Sequence, residues 1–152
     1  MAAITELLTC RPTADPADLV EHLRIRRAVF VDEQRLFEQS DVGPQDHDPR
    51  TVHVVGLVDG VAGGAVRLYP LDQAGMWQGD RLAVLPGFRQ HGLGAPLVRF
   101  AVRTAADRGG HTMLAMVQVP NVRFFERLGW RPVGEPVDYV GHPHQQMSIA
   151  LS

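Results

Sequence analysis

The stretch that most constrains this chain is Leu82 to Arg108. A short apolar run, Leu82-Ala83-Val84-Leu85, is stopped by Pro86-Gly87. Arg89-Gln90-His91-Gly92-Leu93-Gly94 follows and opens into a long amphipathic segment. A strand that ends in a glycine turn and passes directly into a helix makes an anion site. The first helical N–H groups lack intrahelical partners, and the helix dipole adds partial positive charge there. Gly92 and Gly94 carry no Cβ and allow close approach of a ligand to the backbone. Pro96 suits a first helical turn, where its missing N–H costs nothing. Leu97, Val98, Ala101, Val102 and Ala105 then recur at three- and four-residue spacing, giving one apolar face with Arg99, Arg103 and Asp107 turned elsewhere.

Three phosphate-binding patterns compete for this turn. A P-loop needs a lysine after its second glycine, and the sequence contains none. A dinucleotide fingerprint needs three glycines in the first strand-turn-helix unit of a repeated chain; here the third glycine is missing and the unit lies past the middle. The Arg/Gln-x-x-Gly-x-Gly/Ala pyrophosphate loop is matched in full by Arg89 to Gly94. A tight turn that holds no ligand is the plain structural alternative. With Leu82-Ala83-Val84-Leu85-Pro86 before it and an apolar helix after, the stretch resembles the acetyl-CoA-binding segment of the GNAT N-acetyltransferase superfamily.

The rest of the chain sets the frame. Its 152 residues, 45% of them apolar, suit one domain over residues 1–152 with one core. A net charge of −2 provides no basic field for nucleic acid or an anionic membrane. The lone Cys10 excludes an internal disulfide and a thiolate metal cluster. No run approaches the about 20 apolar residues of a membrane span, and Met1 to Thr9 carries Glu6 with no basic region. A soluble cytoplasmic protein is expected.

In chain order, Ile4 to Arg11 reads as a strand closed by Pro12. Asp15-Pro16-Ala17-Asp18 starts a helix that runs to about Asp32, with Leu19, Val20, Leu23, Ala28, Val29 and Phe30 as its buried stripe. Arg24, Arg26 and Arg27 then face water or a cleft. Glu33 to Arg50 is a long acidic loop, with a short helix near Leu36, and long loops in compact domains tend to be functional. Val52–Val58 and Val61–Leu71 form a hairpin about Asp59-Gly60, the strongest short-range hairpin signal. A strand from Met76 to Val84 should pair next to it. Thr112–Val117 should lie parallel to the Leu82 strand, covered on both faces. Pro120–Leu128 reads as a short helix, Gly134–His144 as a loop, and Trp130–Val133 and Gln145–Leu151 as closing strands. The expected class is α/β with a mixed sheet.

A second segment, Phe124-Phe125-Glu126-Arg127-Leu128-Gly129-Trp130, resembles the GNAT pattern Phe-Tyr-Glu-x-Leu-Gly-Phe. The opening Leu23 to Gln34 and the closing Gly141-His142-Pro143-His144-Gln145-Gln146-Met147 resemble those of small bacterial stand-alone members; acyl-homoserine-lactone synthases share a related opening. The resemblance implies a GNAT fold in which two central parallel strands splay and the pantetheine arm of acetyl-CoA pairs with backbone near Leu82 and Val84 like a missing strand. It assigns cofactor contacts to Leu82, Ala83, Val84, Arg89, Gln90, His91, Gly92, Leu93, Gly94, Ala95, Gln118, Asn121 and Phe124. Gln118 stands where many members have an asparagine. Phe125 stands where the family carries its tyrosine general acid, and a phenyl ring cannot protonate a leaving thiolate. Direct transfer, a non-catalytic acyl-CoA sensor and a longer-chain acyltransferase all stay open.

Direct acyl transfer to an amine needs a base for the ammonium proton and a donor for the developing oxyanion. The family's oxyanion donor is the main-chain N–H at Val84. Base candidates are Glu33, Asp80 and His144, with His53 a weaker histidine. Strand alternation would put Asp80 and Leu82 on one face, and Asp80 has pairing with Arg81 as its structural alternative. Arg27, His53 and Arg67 are candidate substrate contacts, Arg67 as a fork for a carboxylate. His142 and His144 lack a third ligand, so no metal is expected. The expected partners are a small-molecule amine and a second copy of the chain, with no nucleic acid and no membrane. A wall built of Glu33, Asp46, Asp48 and His144 would favour a cationic amine.

Overall fold

The computed structural model describes residues 6–152, so Ile4 and Thr5 of the expected first strand lie outside the described residues. Strand β1 (Leu8–Pro12) leads into helix α1 (Pro16–Arg26), which starts where its residues dictate. The Asp15 carboxylate accepts the Asp18 N–H at 2.9 Å and Pro16 takes a first-turn position. The helix continues in wider π-type turns over Arg27–Glu33.

Strands β2 (Val52–Val58), β3 (Val61–Pro70) and β4 (Met76–Val84) follow, then helix α2 (Gly94–Asp107) and strand β5 (Thr112–Gln118). Helix α3 (Val122–Arg127) and strands β6 (Arg131–Pro132), β7 (Val137–Tyr139) and β8 (His142–Ala150) complete the order. The sheet runs β1-β2-β3-β4-β5-β8-β6, with β7 paired to β8. Helix α2 covers one face through Leu97, Val98, Ala101 and Ala105, which meet Val54, Leu68, Met113 and Met147. The other face carries Ala65 and Ala83 against Ile25, Val29 and Phe30 of the first helix.

Among the described residues only β4 and β5 are parallel, and they pair over three residues: Met76 with Thr112, Trp77 with Met113, Gln78 with Leu114. Beyond Gln78 the two strands separate. β5 keeps its other partner, β8, to the end, from Thr112–Ala150 to Gln118–His144. The separation coincides with a bulge in β4. Ala83 pairs with Ala65 and Asp80 with Arg67, so Arg81 and Leu82 together oppose Val66. Arg81 sits at φ +54°, the left-handed conformation a bulge of this kind requires. One added residue reverses the alternation. Asp80 therefore shares a face with Arg67 and Tyr69, whereas Leu82 packs against the α2 core. The expectation that Asp80 and Leu82 share a face is corrected by this bulge.

The first helix also buries a different set from the one its periodicity suggests. Val20 is 63% exposed, and His22, Ile25 and Arg26 are fully buried. Arg26 tolerates burial because partners from the acidic loop enclose it: Nε donates to Asp41 at 2.7 Å, and Nη1 and Nη2 donate to Asp46 at 2.7 and 3.0 Å. Those partners lie 15 and 20 residues away in sequence. In the acidic loop the short helix is a 3-10 turn at Pro44–His47 rather than near Leu36. The Gly134–His144 segment holds β7 and a tight turn at Val140-Gly141, both at positive φ, the geometry that joins twisted hairpin strands. No helix among the described residues is long and apolar enough to cross a membrane.

His22 is neutral in this setting. Its Nδ1 donates to the Val54 carbonyl at 2.9 Å, Arg26 Nη1 lies 3.3 Å from Nε2, and burial pushes its pKa down to about 3. The unfolded ring protonates near 6.5 and the folded ring does not, so stability falls as pH drops from about 6.5 toward 3, by up to roughly 1.4 kcal/mol per pH unit. Urea unfolding between pH 7 and 5 should show this slope in the wild type and a flatter one in His22→Gln. Parallel curves for the two proteins would assign the pH dependence to another group.

Candidate active site

The turn between β4 and α2 has the geometry of an anion cradle. Pro86–His91 forms a 3-10 segment, Gly92 turns the chain at φ +75°, and α2 begins with no side-chain cap. The first bond of α2 runs from Leu97 N to Leu93 O at 3.1 Å, which leaves the N–H groups of Gly94 and Ala95 without intrahelical acceptors. Each glycine has its own reason. Gly92 occupies a left-handed conformation, and a Cβ there meets no atom within 4 Å. A Cβ on Gly94 would stand 3.2 Å from the Phe124 ring.

Side chains of the turn divide by direction. Arg89 borders the adjoining groove, donating from Nε to the Val84 carbonyl at 3.1 Å and from Nη1 to Glu33 at 2.7 Å. His91 turns to Glu6 at 2.7 Å, Leu93 is buried in the core, and Gln90 is exposed. His91 and Leu93 therefore offer a ligand here only their backbone. The groove holds about 630 Å³ and is bordered by Glu33, Leu82, Ala83, Val84, Arg89, Gly92, Gly94, Ala95, Asn121 and Phe124. Along it, β4 has lost β5 as a partner. Leu85 N bonds toward β3, to Gly63 O, so by alternation the N–H and carbonyl of Val84 face the open edge. An uncapped helix start, a flanking guanidinium and a free strand edge fit a pyrophosphate followed by an extended arm.

A second cavity, about 190 Å³, lies where the strands part, and Leu82, Asn121 and Phe125 border both spaces. On the side of the first helix its wall is Phe30, Leu36, Phe37, Tyr69, Met116 and Tyr139; on the α2 side it is Val98, Ala101, Met113, Ala115 and Trp130. The Trp130 indole N–H is buried and has no hydrogen-bond partner among the described residues. His144 borders the cavity and is buried, with Nδ1 2.9 Å from the His142 carbonyl and its ring edge-on to Tyr139. A carbonyl only accepts, so Nδ1 carries the hydrogen of the neutral ring and Nε2 keeps its lone pair.

The other expected site residues are placed differently. Asp80 borders the cavity, but Arg67 grips both of its oxygens, at 2.7 and 2.6 Å, and the Tyr69 hydroxyl lies 3.3 Å away. Its partner is Arg67, not Arg81, which reaches Asp41 instead at 3.1 Å. Arg67 is buried and touches neither cavity, so it offers no fork to a substrate carboxylate. His53 likewise lies off both spaces, donating to Asp46 at 2.9 Å, and exposed Arg27 borders neither. Glu33 stands at the groove rather than the cavity, and its hydrogen bonds from Arg89 lower its pKa. Gln118 borders the cavity and donates to Gln34 at 2.9 Å.

The expected carboxylate-rich wall does not form. Asp46 lies beneath Arg26, His53 and Arg67, and Asp48 pairs with exposed Arg50 at 2.9 Å. The wall is largely apolar and aromatic, with Gln78, Asp80, Arg81, Gln118, Asn121 and His144 as its polar members. Its members Tyr69, Phe37, Met116 and Tyr139 were missed in the sequence; only strand alternation on β5, which pairs Met116 with Gln118 on one face, pointed to any of them.

The cradle geometry generates a test. A Cβ at Gly94 already crowds the Phe124 ring, and valine adds two methyl groups at the uncapped helix start on the groove's border, so Gly94→Val should weaken CoA binding at least about tenfold, with far-UV circular dichroism unchanged. Unchanged calorimetric affinity would remove the turn from the binding site.

Comparison with known proteins agrees with this geometry. The family model described as "Acetyltransferase (GNAT) family" matches residues 16–130. The uncharacterized N-acetyltransferase YjcF of Bacillus subtilis is 26% identical over 125 residues, covering 81% of this chain and 86% of that protein. An acyl-CoA N-acyltransferase structure from Pseudomonas aeruginosa is 27% identical with a TM-score of 0.80, covering 96% of this chain and all of that one. Escherichia coli ElaA has the same fold, with a TM-score of 0.80 at 21% identity over 95% of this chain and 99% of its own. The parted strands, the uncapped helix turn and the family match together identify the chain as a member of the GNAT acetyltransferase family.

Proposed function

We propose that the protein is an N-acetyltransferase that moves the acetyl group of acetyl-CoA directly to the primary amine of a small molecule. The observation that carries this reading is the placement of two spaces end to end along the parted strands. One has phosphate-binding geometry, and the other holds a histidine whose basic nitrogen is not engaged by its fixing hydrogen bond. The groove residues, with Arg89 and the α2 N-terminus at the phosphates, orient the thioester toward the gap. Arg89 exchanges Glu33 for phosphate at little cost, since an exposed ion pair is worth about 0–1 kcal/mol.

His144 Nε2 takes the proton of the incoming ammonium, and the Val84 N–H on the open edge stabilises the negative oxygen that develops. Asp80 and Glu33 serve as structural carboxylates, because each is already paired with an arginine. Phe125 supplies no proton. A thiol of pKa about 8.5 is a tolerable leaving group near neutral pH without one. The cavity wall suits an amine on an apolar or aromatic body rather than a polycation.

His144→Gln should lower kcat about 10²–10⁴-fold in a thiol-release assay across an amine panel, with CoA affinity unchanged by calorimetry. Equal turnover by both proteins would move the base elsewhere. CoA binding with no turnover on any amine would favour a sensing module instead, the reading that Phe125 supports.

A further inference from the structure

We infer that the α2 side of the cavity is an acyl-chain subsite, which extends the donor range from acetyl to straight or singly branched chains of about four to six carbons. This rests on the acyl-transfer reading above. The cavity passes through the sheet rather than lying on it. Alternation along β5 sends Met116 and Gln118 to the side of the first helix and Met113, Ala115 and Val117 to the α2 core. His144 pairs with Gln118 in register, so the base and the arriving amine stand on the outer side.

The inner part is bordered by Val98, Ala101, Met113, Ala115 and Trp130, each no more than 6% exposed and none charged. Leu82 and Phe125 border both this cavity and the groove that takes the thioester. A substituent already attached to the thioester carbonyl has direct entry. Ala101 on α2 and Ala115 on β5 keep the space open, where larger side chains would close it. At about 190 Å³ the whole cavity exceeds the about 150 Å³ that holds a benzene ring in an apolar interior, and the methyl of an acetyl group leaves most of that unfilled. The reaction is unchanged by the longer chain: the C–N bond forms and the C–S bond breaks. Of the two protons the ammonium loses, one goes to His144 and one leaves with the thiol.

Each methylene taken from water into such a space is worth about fourfold in affinity. Calorimetric titration of the full chain with CoA, acetyl-CoA and hexanoyl-CoA tests the inference without an acceptor. Hexanoyl-CoA should bind at least about tenfold more tightly than acetyl-CoA. Ala101→Phe should bring the ratio of hexanoyl-CoA to acetyl-CoA affinity down to about one, with far-UV circular dichroism unchanged, and Ala115→Leu provides the same test from the opposite wall. Equal affinity for the two thioesters in the wild type overturns the subsite, as does a gain that survives both substitutions. Failure of every CoA species to bind overturns the acyl-transfer reading itself.

Discussion

Asp46 is the group on which the arrangement of the site depends. Its carboxylate is buried and receives Arg26, His53, Arg67 and the Gly43 N–H. Through Arg67 it fixes Asp80 on β4; through Arg26 it fixes Asp41, which in turn holds Arg81. Three guanidinium groups and three carboxylates thereby neutralise one another. Buried ion pairs gain little over apolar packing, but removing one member costs several kcal/mol because a charge is left without a partner. Such a network specifies a geometry more than it adds stability. Here it links the acidic loop and the first helix to the point where β4 changes its register.

That bulge makes the site. With Arg81 left-handed, β4 turns Leu82 toward α2 and stops pairing with β5 beyond Gln78. β5 has β8 to complete its other edge, so the sheet survives the break. What remains is a free strand edge, a gap through the sheet, and a helix start at one end of it. The same network explains the character of the cavity. Carboxylates that would have made an anionic wall are bound to arginines, which leaves largely aromatic and aliphatic surface, bordered by His144, Gln118 and the Arg67-paired Asp80.

Phe125 ties the two spaces together by packing rather than by chemistry. Its ring meets Phe124 and Trp130 edge-on, each at 5.4 Å between centroids, an arrangement aromatic quadrupoles favour. The ring is buried and borders both groove and cavity. A phenyl ring there asks for no hydrogen-bond partner, which suits a wall that receives hydrocarbon.

The sequence alone determined what depends on neighbours in the chain. Asp15-Pro16 placed a helix start, Asp59-Gly60 a hairpin, and Arg89 to Gly94 a phosphate-type turn before an amphipathic helix, because caps, turns and periodicity act over a few residues. It also determined the family, through the two segments around Gly92 and Leu128. What only the tertiary structure decided depends on partners far apart along the chain. Arg26 reads as a surface residue until Asp41 and Asp46 fold over it. Asp80 reads as a base until Arg67 takes both its oxygens. The face on which Leu82 falls depends on one extra residue opposite Val66, and no local pattern records a bulge that long-range ion pairs hold in place.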